Sequence, residues 1–299
     1  EGGDVSATYG WRESSYDVFT GVPPVNAGWS APAKLSPDVS DGETLTVSAW
    51  KGFALGESGS ITVAAEYKDQ EHTERDGFDF RPQYSPDAGP FDPREATADR
   101  FNAWYGEPEL EQLSFFANAG AELSEGAKLY GWASYQDRDA RSAGFFRRPN
   151  DARNVPEIYP DGFLPIIAPE VTDYSAAVGM TWNLGEWEVD SSLVYGRNKM
   201  EFTIENTLNR SLGPSSPTEF DSGGFEYDQL LLNFSGVRQF EVGSLASPLN
   251  VATGIEARRE TYQIFAGEPD SYRNGGVLLG GLPTASGAQV FPGFRPENE

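Results

Sequence analysis

DYSAAVGMTWNLGEWEVDSSLVYGRN, residues 173–198, has the pattern of a single β-hairpin. In its first arm Tyr174, Val178 and Trp182 fall on one face and mainly small or polar residues on the other, which is the period-two pattern of a strand. The second arm repeats this alternation, and only residues 184–186 connect the two arms. Each arm is about ten residues long and carries aromatic residues near both ends of its apolar face, as bilayer-crossing strands do.

The same alternation recurs on both sides of the hairpin and predicts nine strands, with long and short connections alternating between them. The predicted strands cover approximately residues 4–11, 43–53, 60–70, 111–121, 127–137, 173–183, 187–196, 225–239 and 249–262. A meander of this kind has long loops at one end and short turns at the other, which is the arrangement of outer-membrane barrels. We therefore predict an all-β fold, an antiparallel transmembrane β-barrel meander in which one residue of every two faces lipid.

The odd number of strands favours a partial barrel. Bacterial single-chain barrels close with an even number of strands, so we expect residues 1–299 to be one partial barrel domain whose remaining strands lie outside this chain. On the outside of the curve we expect Val63, Phe115, Val178, Met180, Leu193, Val251 and Ile255. On the inside we expect Glu66, Lys68, Asp190, Ser192, Glu256 and Arg258.

Composition excludes several classes of protein. A mean hydropathy of −0.49 and the lack of any long apolar run exclude a helical membrane protein. A net charge of −24 disfavours a nucleic-acid partner, because binding phosphates requires clustered Lys and Arg. The chain has no Cys and one His, His72, so we predict no disulfide, no thiolate metal site and no His cluster, and a catalytic triad has little support. We expect no metal site, no cofactor and no enzyme activity. The spread acidic residues indicate a solvated surface or lumen; divalent ions bridging acidic loops stay an open alternative.

Several segments, in loops as well as strands, resemble the barrel portion of TonB-dependent outer-membrane receptors. They are AGFFRRPNDARNVPEIYPDGFLPII (143–167), FTIENTLNRSLGPSSPTEFDSGGFEYDQ (202–229), SPLNVATGIEARRETYQI (247–264), GEPDSYRNGG (267–276) and GAQVFPGFRPENE (287–299). The resemblance implies a barrel of 22 strands, an N-terminal plug and uptake of a scarce ligand driven by the TonB energy-transducing complex. This chain contains neither plug nor TonB box nor leader, so we expect those parts outside it.

The function predicted from the resemblance is transport across the outer membrane of a Gram-negative bacterium. The partners are then outer-membrane lipid, a small-molecule or oligomeric ligand, and the TonB complex reached through the plug. The ligand stays open among siderophore chelates, oligosaccharides, cobalamin-like cofactors and peptides. Two alternatives are a soluble secreted or periplasmic all-β binding protein and a passive porin.

Ligand contact is predicted at the long-loop end, because binding residues concentrate in loops that a rigid scaffold holds. The loop predicted for residues 138–172 is the best candidate, since it combines paired arginines, aromatic residues and prolines. Guanidinium groups suit anionic ligands, and aromatic rings suit sugars or aromatic ligands. The alternatives are ion pairs with loop carboxylates and simple loop packing. The candidate residues are Arg147, Arg148, Phe145, Phe146, Tyr159, Trp104, Tyr105 and Arg273.

Overall fold

Nine long strands make up most of the described chain. The structure, a computed structural model, describes residues 2–19, 34–85 and 92–298; residues 20–33 and 86–91, within the first two predicted long connections, lie outside the described residues. In chain order the strands are β1 Gly3–Ser15, β2 Asp38–Leu55, β3 Gly59–Gln70, β4 Glu109–Ser124, β5 Ala127–Ala143, β6 Ile166–Leu184, β7 Trp187–Glu205, β8 Phe220–Phe240 and β9 Leu249–Phe265.

The strands form one antiparallel sheet in sequential order from β1 to β9. This confirms the predicted all-β class, the number of long strands and their order. Within the described ranges β1 and β9 do not pair with each other, so the sheet has two free edges. The other regular elements are short: two-residue ladders at Val18–Phe19 with Lys34–Leu35 and at Leu278–Leu279 with Leu282–Pro283, one α-helical turn at Pro269–Tyr272, and 3-10 turns at Pro93–Ala96, Arg210–Ser215 and Pro296–Asn298.

Short and long connections alternate as predicted. The short ones are residues 56–58, 125–126, 185–186 and 241–248, and the long ones are 16–37, 71–108, 144–165, 206–219 and 266–298. Gly185 has φ +63 in a two-residue turn, a conformation that glycine adopts without steric cost. Because the sheet is an antiparallel meander, all the long connections lie at one end, which we call the long-loop end.

The strands extend further towards the long-loop end than the sequence pattern predicts. The loop predicted for residues 138–172 spans only residues 144–165, because β5 and β6 both continue beyond the predicted boundaries. In these extensions charged residues take positions where the apolar face would continue, as Asp139 does opposite Glu170. The backbone is paired there, but the side chains show no apolar alternation from which a strand could be predicted. Likewise, β2 and β8 begin earlier and β7 ends later than the sequence pattern predicts.

The apolar face of the sheet is more exposed than its polar face. In β5, Leu129 and Tyr135 are exposed whereas Tyr130 and Trp132 on the opposite face are half-buried, and Val178 in β6 is 52% exposed. The registers place on the apolar face the residues predicted for it: Val63, Phe115, Val178, Met180, Leu193, Val251 and Ile255. They place on the other face Glu66, Lys68, Asp190, Ser192, Glu256 and Arg258. Which face lies outside the curve stays a prediction.

The apolar residues of the exposed face form a band that crosses the sheet obliquely. One cross-strand row runs from Val5 on β1 to Tyr174 on β6 through apolar or aromatic residues only. On β7 to β9 the same row continues with polar or charged residues, Arg197, Asp228 and Thr261. On β9 the apolar residues lie closer to the short turns than this row does. The apolar band therefore steps towards the short turns from one strand to the next.

Two clusters of buried hydrophobic side chains lie at the long-loop end. One contains Val155, Phe163 and Leu208, and the other contains Ile204, Phe220 and Ala288. Each cluster combines residues from at least two different connections or strand ends. The long loops are therefore packed against one another through hydrophobic contacts.

Candidate functional site at the long-loop end

The 144–165 loop is closed at its base by backbone pairing. Arg147 and Phe163 form an antiparallel bridge, with N–H to carbonyl distances of 2.8 and 2.9 Å in the two directions. Gly162, with φ +81, precedes this bridge, and a Cβ there would lie 2.4 Å from the Arg147 carbonyl oxygen. Only glycine fits such a position without displacing backbone. The bridge fixes where the side chains of this loop point.

Arg147 is a buried cation, with 7% of its surface exposed. Its Nη1 donates to the Phe145 carbonyl at 3.0 Å and its Nε to Oε1 of Gln289 at 3.4 Å. Within the described ranges no carboxylate lies at ion-pair distance, and the nearby Asp151 pairs with Arg153 at 2.8 Å. Burial lowers the pKa of Arg147, because the charged form loses solvation. Arg147 therefore does not form the ion pair with a loop carboxylate that was the predicted alternative to ligand binding.

Arg148 points towards a different loop. Its Nη1 donates to the Pro82 carbonyl at 2.5 Å. The Asn150 backbone N–H donates to the Gln83 carbonyl at 3.0 Å, and its side-chain amide donates to the Ser85 carbonyl at 2.5 Å. These bonds join the 144–165 loop to the 71–108 loop. The two loops therefore present one continuous surface.

The 71–108 loop is organised around the buried side chain of Glu95. Its carboxylate accepts hydrogen bonds from the backbone N–H groups of Gln83, Tyr84 and Ser85 at 2.8–3.1 Å, and from Arg100 Nη2 at 2.8 Å. Burial acts to raise the pKa of Glu95, but these donors outweigh it and the pKa lies below its ordinary value. One carboxylate thus fixes the segment to which Arg148 and Asn150 bind.

Among the described residues of these two loops, three aromatic side chains are exposed. Phe145 is 67% exposed, Tyr105 is 51% exposed and Phe80, which the sequence prediction missed, is 50% exposed. Trp104 is half-buried and stacks on His72, with ring centroids 4.0 Å apart and planes 12° apart. Rings that face solvent on a fixed loop can stack on a sugar or an aromatic ligand. Ligand contact by Phe145 and Tyr105 stays a prediction, and one face of Trp104 is occupied by His72.

Two other candidate aromatics pack inside the loop. Tyr159 stacks on Phe163 with ring centroids 4.5 Å apart and donates its hydroxyl to the Thr207 carbonyl at 3.3 Å. Phe146 is half-buried beside Gly162, where an added Cβ would lie 2.8 Å from its ring. These contacts match the alternative of loop packing.

Arg273 belongs to a separate part of the long-loop end. It forms an ion pair with Asp270, and its carbonyl accepts a 2.9 Å hydrogen bond from the buried Asn209. Among the described residues no hydrogen bond, ion pair or ring contact joins Arg273 to Arg147. The loop of Arg273 reaches Arg147 through Gln289 instead. Gln289 is 142 residues from Arg147 in the chain, so no local sequence signal could have identified it.

Comparison with known proteins adds no relative. No protein-family model matches the chain, and no curated protein matches it. Among the residues that the structure describes, no helix is both long enough and apolar enough to cross a membrane.

Proposed function

We propose that the chain is part of the transmembrane β-barrel of a TonB-dependent receptor in the outer membrane of a Gram-negative bacterium. In this role the nine strands form part of a barrel wall, and the long loops face outward and contact a scarce ligand. The TonB complex supplies the energy through a plug domain. The chain itself carries out no catalysis.

The exposed apolar face of the sheet is the observation that carries the membrane part of the proposal. Val178 on β6 is 52% exposed, whereas the residues on the opposite face of β6 are mostly half-buried or buried. Leu232 and Ile255 are 54% and 73% exposed. Soluble monomers rarely expose contiguous apolar patches of more than a few hundred Å². A lipid environment removes this cost, because the apolar residues then face hydrocarbon. A soluble binding protein is correspondingly disfavoured.

Aromatic residues with hydrogen-bonded polar tips mark the border of the apolar band. Tyr67 donates its hydroxyl to Glu111 at 2.9 Å, and Tyr135 donates to Asp137 at 3.2 Å; each carboxylate lies one row closer to the long loops. Trp182 lies towards the opposite border. Amphipathic rings concentrate where hydrocarbon meets the headgroups. The apolar band has this composition at both of its limits.

The oblique course of the apolar band supports tilted strands. Strands of membrane barrels tilt by about 35–45° from the barrel axis. A band that is level with the membrane must then cross the strand register obliquely. The apolar band of this sheet crosses the cross-strand rows in this way. In a flat sheet of untilted strands the band would instead follow the rows.

The receptor part of the proposal rests on the resembling segments and on the packed loops. Loops held by Glu95 and by the Arg147–Phe163 bridge form a fixed surface that exposes Phe145 and Tyr105. A surface fixed before binding loses less conformational entropy when a ligand arrives. A passive porin is the second candidate, because the apolar band is common to both kinds of barrel.

Uptake measurements in the bacterium that encodes the chain test this function. The parent strain, a deletion strain and the complemented deletion strain are compared for uptake of three labelled probes: a ferric siderophore, cyanocobalamin and a maltooligosaccharide. We expect the deletion strain to lose uptake of one of these probes. A protonophore should abolish uptake of the same probe by the parent strain. Uptake that depends on the chain but resists the protonophore would favour the porin.

A further inference from the structure

We propose that Glu71, His72 and Glu109 bind a divalent transition-metal ion, Zn²⁺ being the best fit. One ligand atom from each of these three side chains lies within 4.8 Å of the others. No other group of three or more His, Cys, Asp or Glu side chains in the described ranges meets this distance. This inference concerns the base of the 71–108 loop and does not depend on the transport proposal.

The sheet brings the two carboxylates together, and His72 follows Glu71 directly in the chain. Glu71 follows the last residue of β3, and Glu109 is the first residue of β4. Gln70 and Leu110, one position further into the sheet, are cross-strand partners. The site therefore lies at the two ends of a 38-residue connection, and strand pairing sets the distance between Glu71 and Glu109.

The imidazole of His72 is fixed in orientation. Its ring stacks on Trp104 with centroids 4.0 Å apart. On its two sides the backbone is anchored, since the Glu71 N–H donates to the Glu43 carbonyl at 2.8 Å and the Thr73 N–H donates to the Glu107 carbonyl at 3.1 Å. A ligand held in this way loses little conformational freedom when a metal binds.

The two carboxylates are close together without a cation to neutralise them. In the described part of the chain, no Lys or Arg forms an ion pair with Glu71 or Glu109. Arg141 is the cross-strand partner of Glu109, but its guanidinium pairs with Glu205. The Nδ1 atom of His72 is shielded from solvent and has no hydrogen-bond partner among the described residues. A divalent cation would neutralise the carboxylates while coordinating the ring.

The set of donor atoms favours a transition metal over calcium or magnesium. Calcium and magnesium sites use oxygen ligands, whereas imidazole nitrogen suits Zn²⁺ and its neighbours. Zinc binds nitrogen and carboxylate oxygen at about 2.0–2.2 Å, so the flexible Glu side chains have to close inward on the ion. Three protein ligands leave a fourth position for water or an external ligand, as in open zinc sites.

Zinc titration of the full chain, refolded in detergent micelles, tests the site. Isothermal titration with Zn²⁺ should give one equivalent for the unmodified chain. His72→Phe, which keeps a ring for Trp104 to stack on, should weaken binding by at least about tenfold, since even loss of an outer-shell partner costs about 10–100-fold. Glu109→Gln should weaken it similarly.

Asp139→Asn is the matched control, because Asp139 is an acidic residue on the same face near the same end of the sheet, outside the cluster. It should leave zinc affinity unchanged. Retained sheet circular dichroism in each variant would show that the fold is intact. Absence of a stoichiometric zinc site, or equal affinity in His72→Phe, would overturn the proposal, and neither result bears on membrane insertion or uptake.

Discussion

Glu95 shows how one buried side chain can order a long loop. It lies on a 3-10 turn, Pro93–Ala96, and bonds to the backbone of a segment ten to twelve residues earlier in the chain. Its carboxylate and Arg100 are both almost fully buried, 2.8 Å apart. Removing one member of such a pair leaves an uncompensated buried charge. Glu95 therefore controls the loop more than its position in an irregular segment suggests.

Acidification is expected to loosen the 71–108 loop through Glu95. Its pKa lies below the ordinary value of a Glu side chain in an unfolded chain. The resulting stabilisation is present above that value and is lost as the pH falls through the lower pKa of the folded loop. Amide hydrogen exchange, expressed as protection factors, should show Gln83, Tyr84 and Ser85 losing protection in this acidic range.

Glu95→Gln should lower the same protection already at neutral pH, because a neutral amide binds the three N–H donors and Arg100 more weakly. Glu157→Gln, at an exposed position of another loop, is the control and should change nothing. Full protection of the loop in Glu95→Gln would contradict the role given to this carboxylate.

Adjacent residues on opposite faces of β7 offer a test of lipid contact. Leu193→Arg should destabilise the chain in lipid vesicles by about 2–4 kcal/mol, the cost of a cation on the lipid face at the bilayer midplane. Ser192→Arg, one residue away on the polar face, should cost far less. Urea unfolding from the vesicles measures both, and equal penalties would count against a membrane barrel.

At the level of elements, the sequence allowed the nine strands and their order to be predicted, because each carries an apolar alternation. It did not predict where strands end. Charged residues such as Asp139 and Glu170 pair beyond the apolar band, where no alternation distinguishes strand from loop. Nor did it separate exposed Phe145 from packed Tyr159, since burial there depends on residues from other loops, such as Thr207.

The 144–165 loop depends on the glycine at its closing bridge. Gly162→Ala would place a Cβ 2.4 Å from the Arg147 carbonyl oxygen at a φ of +81, so the bridge should open, with a cost of about 1–3 kcal/mol for the strained backbone. Hydrogen exchange should show faster exchange at the Arg147 and Phe163 amides. Gly77→Ala, where an added Cβ meets nothing within 4 Å, is the control. Unchanged protection in Gly162→Ala would show that the bridge tolerates displacement.

The whole molecule is asymmetric along the strand direction. One end carries tight turns, and the other carries packed loops that hold both hydrophobic clusters, Glu95 and the Zn²⁺ candidate Glu71–His72–Glu109. Between these ends lies the apolar band. The residues proposed to contact a ligand or a metal ion are thus separated from the short-turn end by the width of this band. A barrel wall with one functional surface has this arrangement.

Single-cysteine labelling on intact cells can determine which end faces the exterior. The chain contains no Cys, so each introduced thiol is unique within it. Ala152→Cys, at an exposed position of the 144–165 loop, should react with a membrane-impermeant maleimide on intact cells. Glu186→Cys, in the short turn between β6 and β7, should react only after the outer membrane is permeabilised, because barrels of this kind place short turns on the periplasmic side. Both thiols should react equally in unfolded protein, which controls for intrinsic reactivity. Equal labelling of the two positions on intact cells would contradict a membrane-spanning orientation, and labelling of Glu186→Cys alone would reverse it and remove the long loops from the ligand side.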